Sequence, residues 1–226
     1  MKHRLPARAK PESILYSTQK DFSLLAARDD LRAAGAEPDA ALLAAMAAYI
    51  ELLLRWNRKI NLTAITDVEE IVYRNFVESF SGAWCLEGPT GRYCDVGSGA
   101  GFPGLALKLI RPGWHLTLLE PTGKKAAFLA EVARSLRLKE VEVQTTRWQE
   151  SQIQPGTLDA VTARALGGHE ELAEWAYRCL KPGGRLILWV GSEDAEGVLR
   201  ALPGWDWQMQ SSPGSRERVL LIGLRL

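Results

Sequence analysis

A chain of 226 residues holds one substantial core with little length left for a second, and 46% apolar against 24% charged residues argues against disorder and coiled coil. The net charge of +1 gives no global case for nucleic-acid binding, so any such case must be local. Three cysteines, Cys85, Cys94 and Cys179, lie outside any C-x-x-C pair or histidine cluster, which argues against a disulfide framework and a metal site and fits a reducing, cytoplasmic setting.

The opening residues MKHRLPARAK are basic with no apolar core behind them, so they do not read as a secretory signal; residues 1–38 are expected to form a basic extension. From Asp39 to Arg58, apolar residues recur at helical spacing (Leu42, Leu43, Met46, Tyr49, Ile50, Leu53, Leu54), with Asp39 placed to cap the helix. The apolar run from Ala40 to Ile50 is closed by Glu51 and is too short to span a bilayer, so no membrane partner is expected. In Arg55-Trp56-Asn57-Arg58-Lys59 an aromatic sits among three cations. On residues alone this favours the polar end of a helix with one packed Trp over a nucleic-acid patch. A second helix is expected after Thr66-Asp67, through Val68, Ile71, Val72, Phe76 and Phe80 to about Gly82. The two helices form an N-terminal cap over 39–87.

Beyond the Gly-Pro-Thr-Gly turn at 88–91 the pattern changes to short apolar strands alternating with amphipathic helices. Strands are expected at Tyr93–Val96, His115–Leu119, Val141–Thr145, Ala160–Ala163 and Arg185–Val190, and helices at Phe102–Ile110, Lys124–Leu136, Glu170–Cys179 and Glu193–Ala201. This alternation implies a mainly parallel sheet with helices on both faces over 88–226. Trp205–Gln210 and Val219–Leu224 add a closing antiparallel hairpin, for seven strands in one α/β domain integrated with the cap.

The chemistry concentrates at Tyr93-Cys94-Asp95-Val96-Gly97-Ser98-Gly99-Ala100-Gly101-Phe102-Pro103-Gly104. Glycines let a ligand approach the backbone itself. A dinucleotide fingerprint needs a third glycine where Phe102 stands, and Asp95 would repel a pyrophosphate yet welcome a cationic amino-acid group. That disfavours a nicotinamide oxidoreductase and favours S-adenosylmethionine. Glu120 ends the next strand 23 residues after Gly97, where a carboxylate meets ribose hydroxyls. Asp95, Glu120, Arg147 and Arg164 all follow strand ends and are expected to converge.

With these features the chain resembles the class I, Rossmann-like S-adenosylmethionine-dependent methyltransferases. The segments W-N-x-x-I-N-L-T-A-I at 56–65, D-V-G-S-G-A-G-F-P-G at 95–104, G-K-K-x-x-F-L at 123–129 and Arg164-Ala165 are similar to the bacterial 16S ribosomal RNA guanine-N7 methyltransferase family, also called glucose-inhibited division protein B. The resemblance implies that Gly97, Gly99, Gly101 and Phe102 line the cofactor, that Glu120 holds its ribose and that Trp148 and Gln149 flank its adenine. It also implies Arg164 beside the cofactor; Asp95 is expected as a further cofactor contact, and Arg164 and Asn61 near the target base. Arg58, Lys59, Arg74 and Lys124 are the candidate RNA contacts. The structural alternatives are Trp148 as core and Arg164 paired with a carboxylate such as Asp95.

The chain departs from the family pattern at three places. Arg74-Asn75-Phe76-Val77-Glu78-Ser79 stands where the family reads R-H-x-x-D-S, Glu120-Pro121 where it has Asp-Ser, and Val190-Gly191 where it has Lys-Gly. These changes bear on substrate more than on cofactor. The implied activity is methylation of a guanine N7 in 16S rRNA or the small ribosomal subunit by a cytoplasmic monomer. Its alternatives are another RNA or small-molecule substrate, or a cofactor-binding but inactive ribosome-assembly module.

Overall fold

The strands are β1 (Arg92–Val96), β2 (His115–Leu119), β3 (Val141–Gln144), β4 (Leu158–Arg164), β5 (Leu180–Gly191), β6 (Asp206–Ser211) and β7 (Arg218–Leu224). In this computed structural model, which describes residues 23–164, 167–202, 204–212 and 218–226, they form one sheet in the order β3-β2-β1-β4-β5-β7-β6. The first five run parallel, and β7 lies antiparallel between β5 and β6. Strand order reverses between β1 and β4, which opens a crevice at the carboxyl ends of the strands. Residues 1–22, which hold the basic opening stretch, and 213–217 in the hairpin loop lie outside the described residues.

Strand alternation sorts the core into two faces. Tyr93 of β1 and Ile187 and Trp189 of β5 join one apolar cluster; Cys94, Val96, Leu186, Leu188 and Val190 join the other. The first face is covered by α1 (Arg28–Ala33), α2 (Ala40–Ile60), α3 (Val68–Ile71), α4 (Gly104–Ile110) and α5 (Gly123–Ser135), the second by α6 (His169–Cys179) and α7 (Ser192–Ala201). Met46 and Tyr49 of α2 and Phe76 of the helical stretch that follows α3 are fully buried with Leu105 and Phe128 of α4 and α5. Each such side chain contributes about 1.5–3 kcal/mol of burial, so the cap shares the sheet's core. Within the stretch expected as a basic extension, Leu24, Ala27 and Leu31 are buried in that same cluster.

Asp39 caps α2 as its position predicts, accepting from the Leu42 N–H at 2.7 Å. By length and composition α2, at 21 residues, is long and apolar enough to cross a membrane. Here it buries Leu42, Met46, Tyr49, Ile50 and Leu53 in the core. At its far end the Asn57 carboxamide holds the exit loop, accepting from Leu62 N at 2.6 Å and Thr63 N at 2.9 Å and donating to Thr63 O at 2.9 Å.

Three elements differ notably from expectation. α3 runs on through a π-helical stretch, Val72–Val77, to Glu78–Phe80; its apolar spacing reads the same for either helix, and π turns recur at functional sites. β5 begins at Leu180, not Arg185, because Lys181–Gly184 is accommodated as a break in register: Leu158 pairs with Leu180 but Ala160 with Arg185. The Pro-Gly-Gly within it reads as a turn. α4 starts at Gly104, two residues after the expected Phe102.

Candidate active site

The glycine turn leaves β1 at Val96. Gly97, Gly99 and Gly101 adopt φ of +66°, +52° and +85°, the left-handed region that other residues enter only at a cost. Gly97 N and Ser98 N donate to Leu119 O at 2.9 and 3.2 Å, so the turn leans over the end of β2. Glu120 waits there, buried, its Oε2 accepting from Gly99 N at 2.9 Å and its Oε1 from Thr122 N at 2.8 Å. A carboxylate with one bond on each oxygen still has lone pairs for hydroxyl donors. On the other side, Tyr49 Oη donates to Ala100 O at 2.7 Å, and its ring lies on Phe102. A Cβ on Gly101 would come within 2.1 Å of that hydroxyl, whereas one on Gly99 would meet only Gly97 O at 3.7 Å. The turn is thus braced behind Gly101 and open at Gly99.

Asp95 stands behind the turn. It shares the sheet face of Tyr93, two residues earlier, and is fully buried; its Oδ1 accepts from Thr162 Oγ1 at 2.7 Å. Gly104 presses on it so closely that a Cβ there would lie 2.7 Å from its carboxylate. Burial pushes its pKa up to about 6 against the opposing hydrogen bond from Thr162. Asp95 thus packs directly beneath the turn expected to carry the cofactor.

Arg164, at the end of β4, lies 5.6 Å from the Phe102 ring centroid. Its Nη1 donates to Arg74 O at 2.7 Å and its Nη2 to Asn75 Oδ1 at 3.0 Å, and Glu78 Oε2 lies 4.0 Å away. Burial lowers its pKa to about 10, with Glu78 opposing, so the guanidinium stays charged at neutral pH. Its direct partners are Arg74 O, Asn75 and the Glu78 carboxylate, and not Asp95. The departures in the 74–79 segment are therefore the residues that hold Arg164. Glu78 also lies 3.6 Å from Arg218 Nε. Beside this group, over the ends of β4 and β5, lies a cleft of ≈ 970 Å³ whose lining includes Arg74, His169, Val190, Gly191, Asp194 and Arg218.

The sequence marks Glu78 only as a departure from the family pattern and gives no sign of Arg218. The available signal was Glu78 itself, an acid at a position where α3 and its continuation bury their side chains.

The remaining candidates are more dispersed. Arg147, Trp148 and Gln149 follow β3; Arg147 and Gln149 are exposed, and Trp148 meets Trp175 edge-on at 5.9 Å. Asn61 is the exposed C-cap of α2 at φ +48° and makes no hydrogen bond or ion pair with Arg164. Arg58, Lys59 and Lys124 are exposed, at the end of α2 and the start of α5. Arg74 pairs with Glu70 at 3.0 Å. Trp56 Nε1 donates to Glu131 at 3.2 Å and Arg55 pairs with the same carboxylate at 2.7 Å, which ties the aromatic among cations to α5.

An open glycine turn after β1, an acid with spare lone pairs at the end of β2, and a seven-stranded sheet with β7 reversed define a class I S-adenosylmethionine-dependent methyltransferase. The same fold is found in a SAM-dependent methyltransferase from Aquifex aeolicus (TM-score 0.58, 16% identity, 69% of this chain and 93% of that one). It recurs in the geranyl diphosphate C-methyltransferase of Streptomyces coelicolor A3(2), solved with S-adenosyl-L-homocysteine (TM-score 0.56, 16% identity, 79% and 98%). Residues 42–205 match the GidB family, rRNA small subunit methyltransferase G, and the chain belongs to that family. Relatives named ribosomal RNA small subunit methyltransferase G include that of Roseiflexus castenholzii, 42% identical over 69% of this chain and 68% of the relative. That of Halorhodospira halophila is 40% identical over 74% and 78%.

Proposed function

We propose that this chain, acting as a cytoplasmic monomer, transfers a methyl group from S-adenosylmethionine to N7 of a guanine in 16S rRNA of the small ribosomal subunit. The observation that carries this reading is the abutment of the Glu120-held glycine turn and the Arg164–Phe102 contact, with a nucleotide-sized cleft beside them.

The backbone at Gly97, Gly99 and Gly101 and the ring of Phe102 line the cofactor, Glu120 takes its ribose hydroxyls, and Trp148 and Gln149 flank its adenine. Asp95 keeps the turn in shape. Bound S-adenosylmethionine supplies an electrophilic methyl group. Guanine N7 carries an in-plane lone pair and no proton, so no general base is required of the chain. Its residues position the base and exclude water. Arg164 and Asn61 lie nearest the base. A methylated N7 leaves the guanine cationic, and Glu78 offsets the Arg164 charge that would otherwise oppose it. Arg58, Lys59, Arg74 and Lys124 meet RNA phosphates, which place the strand without reading it. The target is reached in an unpaired loop or where ribosomal assembly exposes it, since an RNA duplex buries its major-groove edge.

The test is incubation with labelled S-adenosylmethionine and undermethylated small subunits, followed by nuclease digestion and mass spectrometry. Label on a 16S guanine N7 is expected. Unlabelled RNA, or label at another atom, overturns the reading.

A further inference from the structure

We infer that the cleft over the carboxyl ends of β4 and β5 receives the RNA strand bearing the target base, that Arg218 meets one of its phosphates, and that Glu78 is the positioning residue that sets Arg218 there. The inference rests on the RNA-methyltransferase reading and adds to it two residues and a strand path.

The topology delivers Arg218 to the site. β7 runs antiparallel to β5 with Arg218 in register with Gly191, so the start of β7 arrives at the end of the sheet where β4 delivers Arg164. Glu78 Oε2 then lies within 4.0 Å of both guanidinium groups, 4.0 Å from Arg164 and 3.6 Å from Arg218. The two arginines differ in what they have left to give. Arg164 is committed to Arg74 O, Asn75 Oδ1 and the Phe102 face. Arg218 faces Glu78 through Nε, while its Nη1 and Nη2 make no hydrogen bond among the described residues, and the residue lines the cleft. A guanidinium that faces a buried carboxylate through Nε, with outer nitrogens that make no hydrogen bond among the described residues, matches the two-pronged acceptor of a phosphodiester.

Arg164 and Arg218 share the one Glu78 carboxylate, and Arg218 lines the cleft together with Arg74 and His169. Glu170, Glu171 and Asp194 also line the cleft.

The experiment measures binding of the full chain to undermethylated small subunits across a salt series, alongside S-adenosylmethionine affinity and thermal unfolding. Arg218→Gln is expected to weaken subunit binding about tenfold and to reduce the salt slope by about 0.7, the share of one single-strand phosphate. Its cofactor affinity is expected to stay within twofold of wild type. Glu78→Gln is expected to weaken subunit binding severalfold, with Glu78→Asp restoring most of it. In an Arg218→Gln background the Glu78→Gln effect is expected to shrink to the part carried by Arg164, which a merely structural role would not produce. If Arg218→Gln does not fold, Arg218→Lys decides: weaker binding with the wild-type slope is expected, and wild-type affinity overturns the contact. An unchanged slope in Arg218→Gln overturns the phosphate assignment, and additive effects of the two substitutions overturn the role of Glu78. Wild-type protein that binds subunits but transfers no methyl overturns the methyltransferase reading alone, since the slope comparison still decides Arg218.

Discussion

Tyr49 and Phe102 lie face to face, ring centroids 4.9 Å apart and planes 13° from parallel, although one belongs to α2 of the cap and the other to the glycine turn. Phe76 closes the stack edge-on against Phe102 at 5.1 Å. The ring that would line the cofactor is therefore held by the cap.

Tyr49→Phe keeps the stack and removes the hydroxyl that donates to Ala100 O. Losing one such bond is expected to cost about 1 kcal/mol of stability and to weaken cofactor binding severalfold. Calorimetric titration with S-adenosylmethionine checks the second effect; wild-type affinity would mean that the hydroxyl does not shape the turn.

Gly101→Ala introduces a Cβ within 2.1 Å of Tyr49 Oη at a φ of +85°. Cofactor affinity is expected to fall more than tenfold, since left-handed backbone alone costs an ordinary residue about 1–2 kcal/mol. Adding Tyr49→Phe should restore part of the loss by removing the clashing oxygen. If the double variant binds no better than Gly101→Ala, the clash is not what matters.

Glu120→Ala removes the acceptor of Gly99 N and Thr122 N as well as the expected ribose contact. Hydrogen bonds to a charged group are worth about 1.5–3 kcal/mol, so a roughly 10- to 100-fold loss of cofactor affinity is expected. Unchanged affinity by calorimetry would remove Glu120 from the site.

Asp95 has a folded pKa of about 6, above the ordinary 3.8, chiefly because it is buried. A carboxyl whose pKa rises on folding holds its proton more tightly in the native state. Its contribution to stability is therefore full below about pH 3.8 and is lost as pH rises through about 6. Urea unfolding of wild type and Asp95→Asn from pH 4.5 to 8 is expected to show wild type losing ground to the variant across that interval. Parallel curves would contradict the assignment.

Most of the sheet and the whole glycine turn were legible because both are local: short apolar runs punctuated by glycine and proline leave little choice of element. The position of Asp95 was legible too, through its parity with Tyr93 on one strand face, but the motif drew attention to its place before the glycines instead. The holders of Arg164 were not. Asn75 and Glu78 lie far from it in sequence, on a helix whose apolar spacing gives no sign of its π turn, and their contacts appear only when β4 is laid against the cap. Read as departures from a family pattern, they looked like losses at the substrate site; in the folded chain they form the clamp on its arginine. Asn57 shows the same limit: its motif was readable, its three hydrogen bonds to the exit loop were not.

The reversed seventh strand also bears on the order of assembly during synthesis. β6 is made before β7, yet β7 is the strand it pairs with, and β7 in turn must first find β5. Until then the nascent sheet ends at β5, with β6 unmatched, and Glu78 lacks its second arginine. The cleft that Arg218 lines is thus completed late in translation, and a chain halted after β6 would carry the glycine turn without that arginine.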